Sequence, residues 1–131
     1  MARGPAEHPT VLELRILKVL WEQAPLPVRE IRQRLTDGGR NLAHTSVITT
    51  LNTMFAKRFL KRSNQANAFW FAPRVTRDEV SRRMLGDIVD RVFDGSTSAV
   101  VLSLFDCSEI DEDEVKELRR LFNRKVKEKE G

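Results

Sequence analysis

The stretch TSVITTLNTMFAKRFLKR, residues 45–62, decides the fold. Val47, Leu51, Met54 and Phe55 fall at i, i+4, i+7 and i+8, which makes one apolar helical stripe. At about 100° per residue, Thr45, Thr49 and Asn52 lie on the opposite face. Their side chains are short, uncharged and rich in hydrogen-bonding groups, whereas a merely solvated face more often carries Lys and Glu. Short donors and acceptors are what a helix needs to enter a DNA major groove and read base edges. Four cations, Lys57, Arg58, Lys61 and Arg62, follow within one more turn and a strand. Taken alone, the segment also fits a buried helix with a polar back.

The flanking sequence separates the two readings. Upstream, Thr10 to Glu13 reads T-x-x-E, a capping box that opens a helix carrying Leu14, Ile16, Leu17, Leu20 and Trp21. Pro25 and Pro27 stop it. A shorter helix over about 28–36 turns Val28, Ile31 and Leu35 inward and Arg29, Arg32 and Arg34 outward. Asp37-Gly38-Gly39 then breaks the chain before the decisive helix. Downstream, Phe59 to Ser63 reads as a strand, residues 64–67 as a polar turn, and Ala68 to Ala72 as a second strand ended by Pro73. Phe69 and Phe71 share one side of that strand, with Trp70 on the other. Three helices closed by a hairpin form a winged helix-turn-helix, whose third helix reads the major groove.

Beyond residue 75 the chain changes character. Thr76 to Glu79 is a second capping box, with Val75 and Val80 spaced for a hydrophobic staple. The helix it opens carries Met84, Leu85, Ile88, Val89, Val92 and Phe93 until Asp94-Gly95. Ala99 to Phe105 is apolar on nearly every side, and Asp111 to Glu114 opens a last helix striped by Val115, Leu118, Leu121, Phe122 and Val126. A region this short, in three helices, cannot cover an all-round apolar segment by itself. The economical solution is a second copy of the chain, and the alternative is packing onto the chain's own N-terminal half. The expected organisation is a flexible tail over 1–9, a winged-helix domain over 10–74 and a helical dimerisation region over 75–131.

Charge follows the same division. Residues 1–80 hold 13 Lys/Arg against 7 Asp/Glu, a net of +6, and residues 81–131 hold 10 against 12, a net of −2. A basic half that contains the polar-faced helix is the electrostatic footprint of nucleic-acid binding. With 131 residues, 40% of them hydrophobic, the chain suits one domain or a small domain plus an oligomerisation segment. No apolar run approaches the ~18 residues of a membrane span. The opening MARGPAEHP has no secretory apolar stretch, so a cytoplasmic protein without membrane insertion is expected.

Enzymatic chemistry finds no set of converging groups. His8 lies in the tail, and His44 stands at the start of the reading helix as a phosphate or solvent contact. The single cysteine, Cys107, excludes an intramolecular disulfide and any multi-cysteine metal cluster. The acidic run Glu109 to Glu114 lacks the glycine and alternating ligands of an EF-hand loop, and a solvated helix start explains it. No cofactor and no metal are expected.

The segments ELRILKVLW (13–21), VREIRQRL (28–35), LAHTSVITTLNTM (42–54), FLKR (59–62), AFWFAP (68–73) and DEDEVKELRRLF (111–122) together resemble the penicillinase-repressor family of the BlaI/MecI type. The resemblance runs from about residue 12 to 122 and rests on the order and spacing of the segments. It implies a homodimeric transcriptional repressor that binds an inverted-repeat operator in double-stranded DNA and blocks transcription. It also implies induction through a membrane-bound sensor that triggers proteolysis of the repressor. Thr45, Thr49 and Asn52 are then the expected base contacts. His44, Ser46, Lys57, Arg58, Lys61 and Arg62 are the expected contacts to the DNA backbone. Ile88, Val92, Val100, Val101, Leu104, Phe105, Leu118 and Phe122 are the expected dimer interface.

Several positions depart from the family pattern. Arg58 stands where a glycine is usual, and Asn67 and Trp70 stand where arginine is frequent. Ser103–Leu104 lies about where better-known members are cut between Asn and Phe, which makes it the candidate cleavage site. Copper-responsive members carry a cysteine-rich C-terminus, and this chain has only Cys107. The rival reading from another class is a winged-helix protein-interaction adaptor without specific DNA binding.

Overall fold

The computed structural model describes residues 8–130, so most of the expected tail over 1–9 lies outside the described residues. Helix α1 (Val11–Glu22) leads into a two-residue strand β1 (Leu26–Pro27), then α2 (Val28–Asp37) and α3 (His44–Ala56). The hairpin β2 (Leu60–Gln65) and β3 (Ala68–Pro73) follows, then α4 (Arg77–Arg91), α5 (Thr97–Cys107) and α6 (Glu112–Glu130). The sheet order is β1-β3-β2, with both pairings antiparallel. The chain divides into two compact units, one running to Leu85 and one from Gly86. The first therefore extends past the expected limit of 74, because Val80 is buried in its core and Val75 and Met84 pack against it.

The first unit is built as its apolar spacing dictates. Ile16, Leu17 and Leu20 of α1, Ile31 and Leu35 of α2, and Val47, Leu51 and Met54 of α3 form one buried cluster. Leu26, Leu60 and Phe71 of the sheet close it. The Thr10–Glu13 capping box is complete, with Thr10 N–H on Glu13 Oε1 at 2.9 Å and Glu13 N–H on Thr10 Oγ1 at 3.2 Å. Glu13 is only 3% exposed, and its charge is met by Lys57 Nζ at 3.0 Å from Oε2. This ion pair ties the start of α1 to the end of α3. The Trp21 indole N–H donates to Val75 O at 2.8 Å, which fixes the segment entering α4 against α1. The Thr76–Glu79 box caps α4 with bonds of 2.9 and 3.0 Å. The Thr76 amide, with its hydroxyl behind it, holds the Glu79 carboxyl below the usual carboxylate range. That contribution is present at neutral pH and is lost only as pH falls through the lowered value.

Three local expectations need correction, and one element is new. Phe55, placed in the core stripe from its spacing, is 36% exposed, because i+8 has drifted past the edge of the buried arc. Phe59 is not the first residue of the strand but a buried core residue that precedes β2. The polar turn tightens from four residues to the two-residue loop Ala66-Asn67, since Gln65 pairs with Ala68. Both loop residues are left-handed, with φ of 52° and 60°, as a type I′ hairpin requires. Strand β1 was not foreseen, because two residues ending in proline give no alternation to read.

Arg58 shows how the chain manages without the family glycine. Arg58 N–H bonds Phe55 O at 3.1 Å and Phe59 N–H bonds Met54 O at 2.9 Å, the paired bonds of a Schellman turn closing α3. Met54 and Phe59, the two residues such a turn brings together, are both buried. The turn requires a left-handed residue, and Arg58 adopts φ 71°. The same turn closes α2, where Gly39 takes φ 96°.

The second unit is of another kind. Ser96 caps α5 by accepting from Ala99 N at 3.2 Å, and Asp111 Oδ1 accepts from Glu114 N at 2.9 Å to begin α6. No described side chain of α5 or α6 is buried. Leu104, Phe105, Leu118 and Phe122 range from 36% to 54% exposed, and Ile88 and Val92 are exposed as well.

A left-handed conformation costs an L-residue roughly 1–2 kcal/mol, part of which the greater freedom of glycine in the unfolded chain cancels. Arg58→Gly is therefore expected to raise unfolding stability by about 0.5–1 kcal/mol, measured by urea denaturation of the full chain. An unchanged or lower stability would show that the Arg58 side chain contributes at least as much as its backbone costs.

Candidate nucleic-acid interface

Burial of Val47, Leu51 and Met54 sets the rotation of α3, and Thr45, Ser46, Thr49 and Asn52 are all exposed as a result. Among the described hydrogen bonds, none engages the side chains of Thr45 or Thr49. The neighbouring hydroxyls behave differently. Thr50 Oγ1 bonds Ser46 O at 2.9 Å and Thr53 Oγ1 bonds Thr49 O at 3.0 Å, which commits them to the helix itself. The open polar face is thus narrower than threonine content alone suggests.

The N-terminus of α3 is also open. Its cap residue, Ala43, makes no side-chain capping bond, and no acidic residue occupies the first turn. First-turn amides without partners form a positive end suited to a phosphate. Arg32 Nε donates to Leu42 O at 2.8 Å and holds the approach to this turn. A polar notch beside it, about 290 Å³, is lined by Arg29, Arg32, Gln33, Thr36, Asn41 and His44. His44 and Ser46 are exposed in this first turn. Arg29, read in the sequence only as an outward residue of α2, joins them. Its signal was its place in the first turn of α2, legible only once α2 and α3 are packed.

The four cations after α3 divide into two kinds. Arg58, Lys61 and Arg62 are exposed. Lys57 departs from expectation: its side chain is 23% exposed and its charge is engaged by buried Glu13. Apolar spacing could not reveal this, because the partner lies 44 residues away. Arg62 sits between two rings, its guanidinium carbon 4.0 Å from the Phe55 centroid and 4.4 Å from that of Phe69. Its Nη1 lies 3.5 Å from Asn52 Oδ1, so wing and reading helix meet at this side chain. The cleft between them, about 770 Å³, is lined by His44, Ile48 and Asn52 of α3 and by Arg62, Phe69 and Trp70 of the hairpin. The rings of Phe55 and Phe69 were not expected at the site, since their meeting depends on strand register.

A helix-turn-helix whose second helix runs into a two-stranded wing is a winged-helix DNA-binding domain, and that class contains this protein. A family model described as Penicillinase repressor matches residues 9–124, and the chain belongs to that family. The methicillin resistance regulatory protein MecI of Mammaliicoccus sciuri is 19% identical over 113 residues, covering 86% of this chain and 91% of MecI. A Staphylococcus aureus penicillinase repressor is 17% identical over 114 residues, covering 87% and 90%. Among solved structures, one of hsRosR-S4, described as a complex, superposes with a TM-score of 0.51 at 18% identity and covers 96% of each chain. That last likeness speaks for the fold alone. The protein is a DNA-binding transcriptional repressor and not an enzyme. Among the described residues no helix is long and apolar enough to cross a membrane, and no cluster of metal-ligating side chains occurs.

The division among the cations has a measurable consequence. Each phosphate contact contributes about 0.9 to the slope of log affinity against log salt. Lys61→Ala is expected to flatten that slope by about one such step, whereas Lys57→Ala leaves it unchanged. Filter binding across a salt series checks both, and equal slopes for the two variants would contradict the assignment.

Proposed function

We propose that the repressor binds as a homodimer to an inverted-repeat operator, with α3 of each copy in a major groove and the wing along the backbone. The observation that carries this reading is the uncharged polar face of Thr45, Thr49 and Asn52, exposed on the same unit as Arg58, Lys61 and Arg62. In this reading those three polar side chains read base edges. The open end of α3, with His44 and Ser46, takes a phosphate, while Arg58, Lys61 and Arg62 fix register. Lys57 is left out, because its charge is already paired. Two-fold symmetry places the half-sites about one helical turn, ~34–36 Å, apart. Repression is steric: an occupied operator excludes polymerase. The site of action is the cytoplasm.

The exposed apolar side chains of the second unit support the dimer. Burying a large apolar side chain contributes about 1.5–3 kcal/mol, and a half-exposed one realises about half of that. Ile88, Val92, Leu104, Phe105, Leu118 and Phe122, with the half-buried Val100 and Val101, leave on the order of 10 kcal/mol unrealised in a single chain. That is comparable with the whole stability of a domain. Proteolysis triggered indirectly by a membrane-bound sensor, as in the resemblance, would fall on Ser103–Leu104 in the middle of α5. Proteases take extended chain, so this step requires α5 to unwind first.

Gel shifts on the chain's own upstream region should show specific binding that weakens steeply with salt. Thr49→Ala or Asn52→Ala should cost ~1–3 kcal/mol on that DNA and little on unrelated DNA. Absence of binding at low salt would favour the adaptor reading, and equal losses on both DNAs would remove these residues from base reading. Leu104→Asp or Phe122→Glu in the full chain should give a monomer by light scattering and lower operator affinity together. A persistent dimer in both variants would refute the assigned interface.

A further inference from the structure

Phe55 and Phe69 are large apolar side chains left 36% and 45% exposed on the reading side of the first unit. Neither ring belongs to the buried core cluster. What they do in the structure is hold Arg62 between them, at 4.0 and 4.4 Å. The first ring comes from α3, one turn after Asn52, and the second from β3. Register pairs Arg62 with Phe71 and Asn64 with Phe69, so Phe69 is the diagonal neighbour of Arg62 across the hairpin. A guanidinium donates only through the N–H groups at its planar edge. Part of that edge is directed at Asn52 Oδ1, at 3.5 Å.

The chemistry of this contact determines how Asn52 is turned. A guanidinium has only N–H donors, so the carboxamide atom facing it is the oxygen. The Nδ2 hydrogens are then the group Asn52 presents elsewhere. An unconstrained asparagine reads adenine with both edges, accepting from N6 and donating to N7. The oxygen keeps a second lone pair, but with Oδ1 turned toward Arg62 the Nδ2 donors are the edge offered to a base, and they match bases whose major-groove edge offers acceptors without a donor: N7 and O6 of guanine, or O4 of thymine.

We propose that Arg62, clamped by Phe55 and Phe69, is a positioning residue that orients the Asn52 carboxamide and thereby shifts the base it reads from adenine to guanine or thymine. This rests on the reading of Asn52 as a base contact. The wing then takes part in sequence choice through α3, in addition to any grip on phosphate. It also gives the two exposed rings a function that a flat polar face would lack.

The test is selection of bound sequences from a randomised operator library by the full-length protein, with the salt slope measured alongside. The parent should prefer guanine or thymine over adenine at one position of each half-site, by roughly fivefold or more. Asn52→Ala should erase that preference, and Arg62→Ala should turn it toward adenine at the same position while other positions keep theirs. The double variant should match Asn52→Ala there. Phe69→Leu retains the cation but opens the clamp, so it should shift the same position in the same direction with the salt slope unchanged. A uniform loss of affinity in Arg62→Ala, with a slope flatter by about 0.9 and unaltered base preference, would make Arg62 a plain phosphate contact and overturn the proposal. If Asn52→Ala itself changes no base preference, the reading of Asn52 fails, and the proposal falls with it.

Discussion

Burial of Val47, Leu51 and Met54, each fully excluded from solvent, fixes the rotation of α3 about its own axis. In the proposed reading, the whole surface offered to DNA depends on that rotation. One residue of slip would turn the helix by about 100°, carrying Thr45, Thr49 and Asn52 off the exposed face and exposing apolar side chains. Two devices at the far end of the helix guard against it. Glu13 holds Lys57 from α1, and the Schellman turn through Arg58 and Phe59 commits the chain to the start of β2. A buried ion pair is a weak source of net stability but leaves a costly unpaired charge if the register shifts. Its role here is better described as fixing position than as adding strength.

The same arrangement explains why one cation after α3 faces inward while three remain at the surface. Lys57 follows the last helical residue, close enough to the core to reach Glu13, whereas Arg58 onward is carried outward by the turn. Arg62 then returns to α3 from the third residue pair of the hairpin and is held there by rings. Wing and reading helix are therefore coupled through one side chain as well as through the core. The second unit has no comparable internal anchoring, since its apolar side chains remain exposed on α5 and α6. Its helices are specified by local signals: the Ser96 cap, the Asp111 cap, and an acidic start and basic end of α6 that suit the helix dipole.

Much of this was legible in the sequence, for identifiable reasons. Capping boxes at Thr10 and Thr76 are local and reciprocal, and both formed as their spacing indicates. The 3.6-residue period of Val47, Leu51 and Met54 located the core side of α3, and thereby its opposite face. Reading failed where the deciding partner is distant in sequence. Lys57 was placed by a charge on another helix, β1 by a strand still to come, and the Phe55–Arg62–Phe69 stack by hairpin register. Phe55 shows the limit of periodicity itself: its angle puts it at the border of the buried arc, where spacing alone does not decide. Arg58 lies between these cases. The sequence showed that a left-handed position lacked its glycine, and the structure shows that arginine adopts the conformation.

We propose that α3 and the adjoining hairpin form the surface that meets DNA. Amide chemical shifts of the full-length protein, followed by NMR as operator duplex is added, address it residue by residue. The expected result is perturbation concentrated over residues 44–52 and 61–69, with α1 and the buried side of α3 little affected. Perturbation confined to α5 and α6, or absent from residues 44–52 while the duplex is bound, would contradict the account.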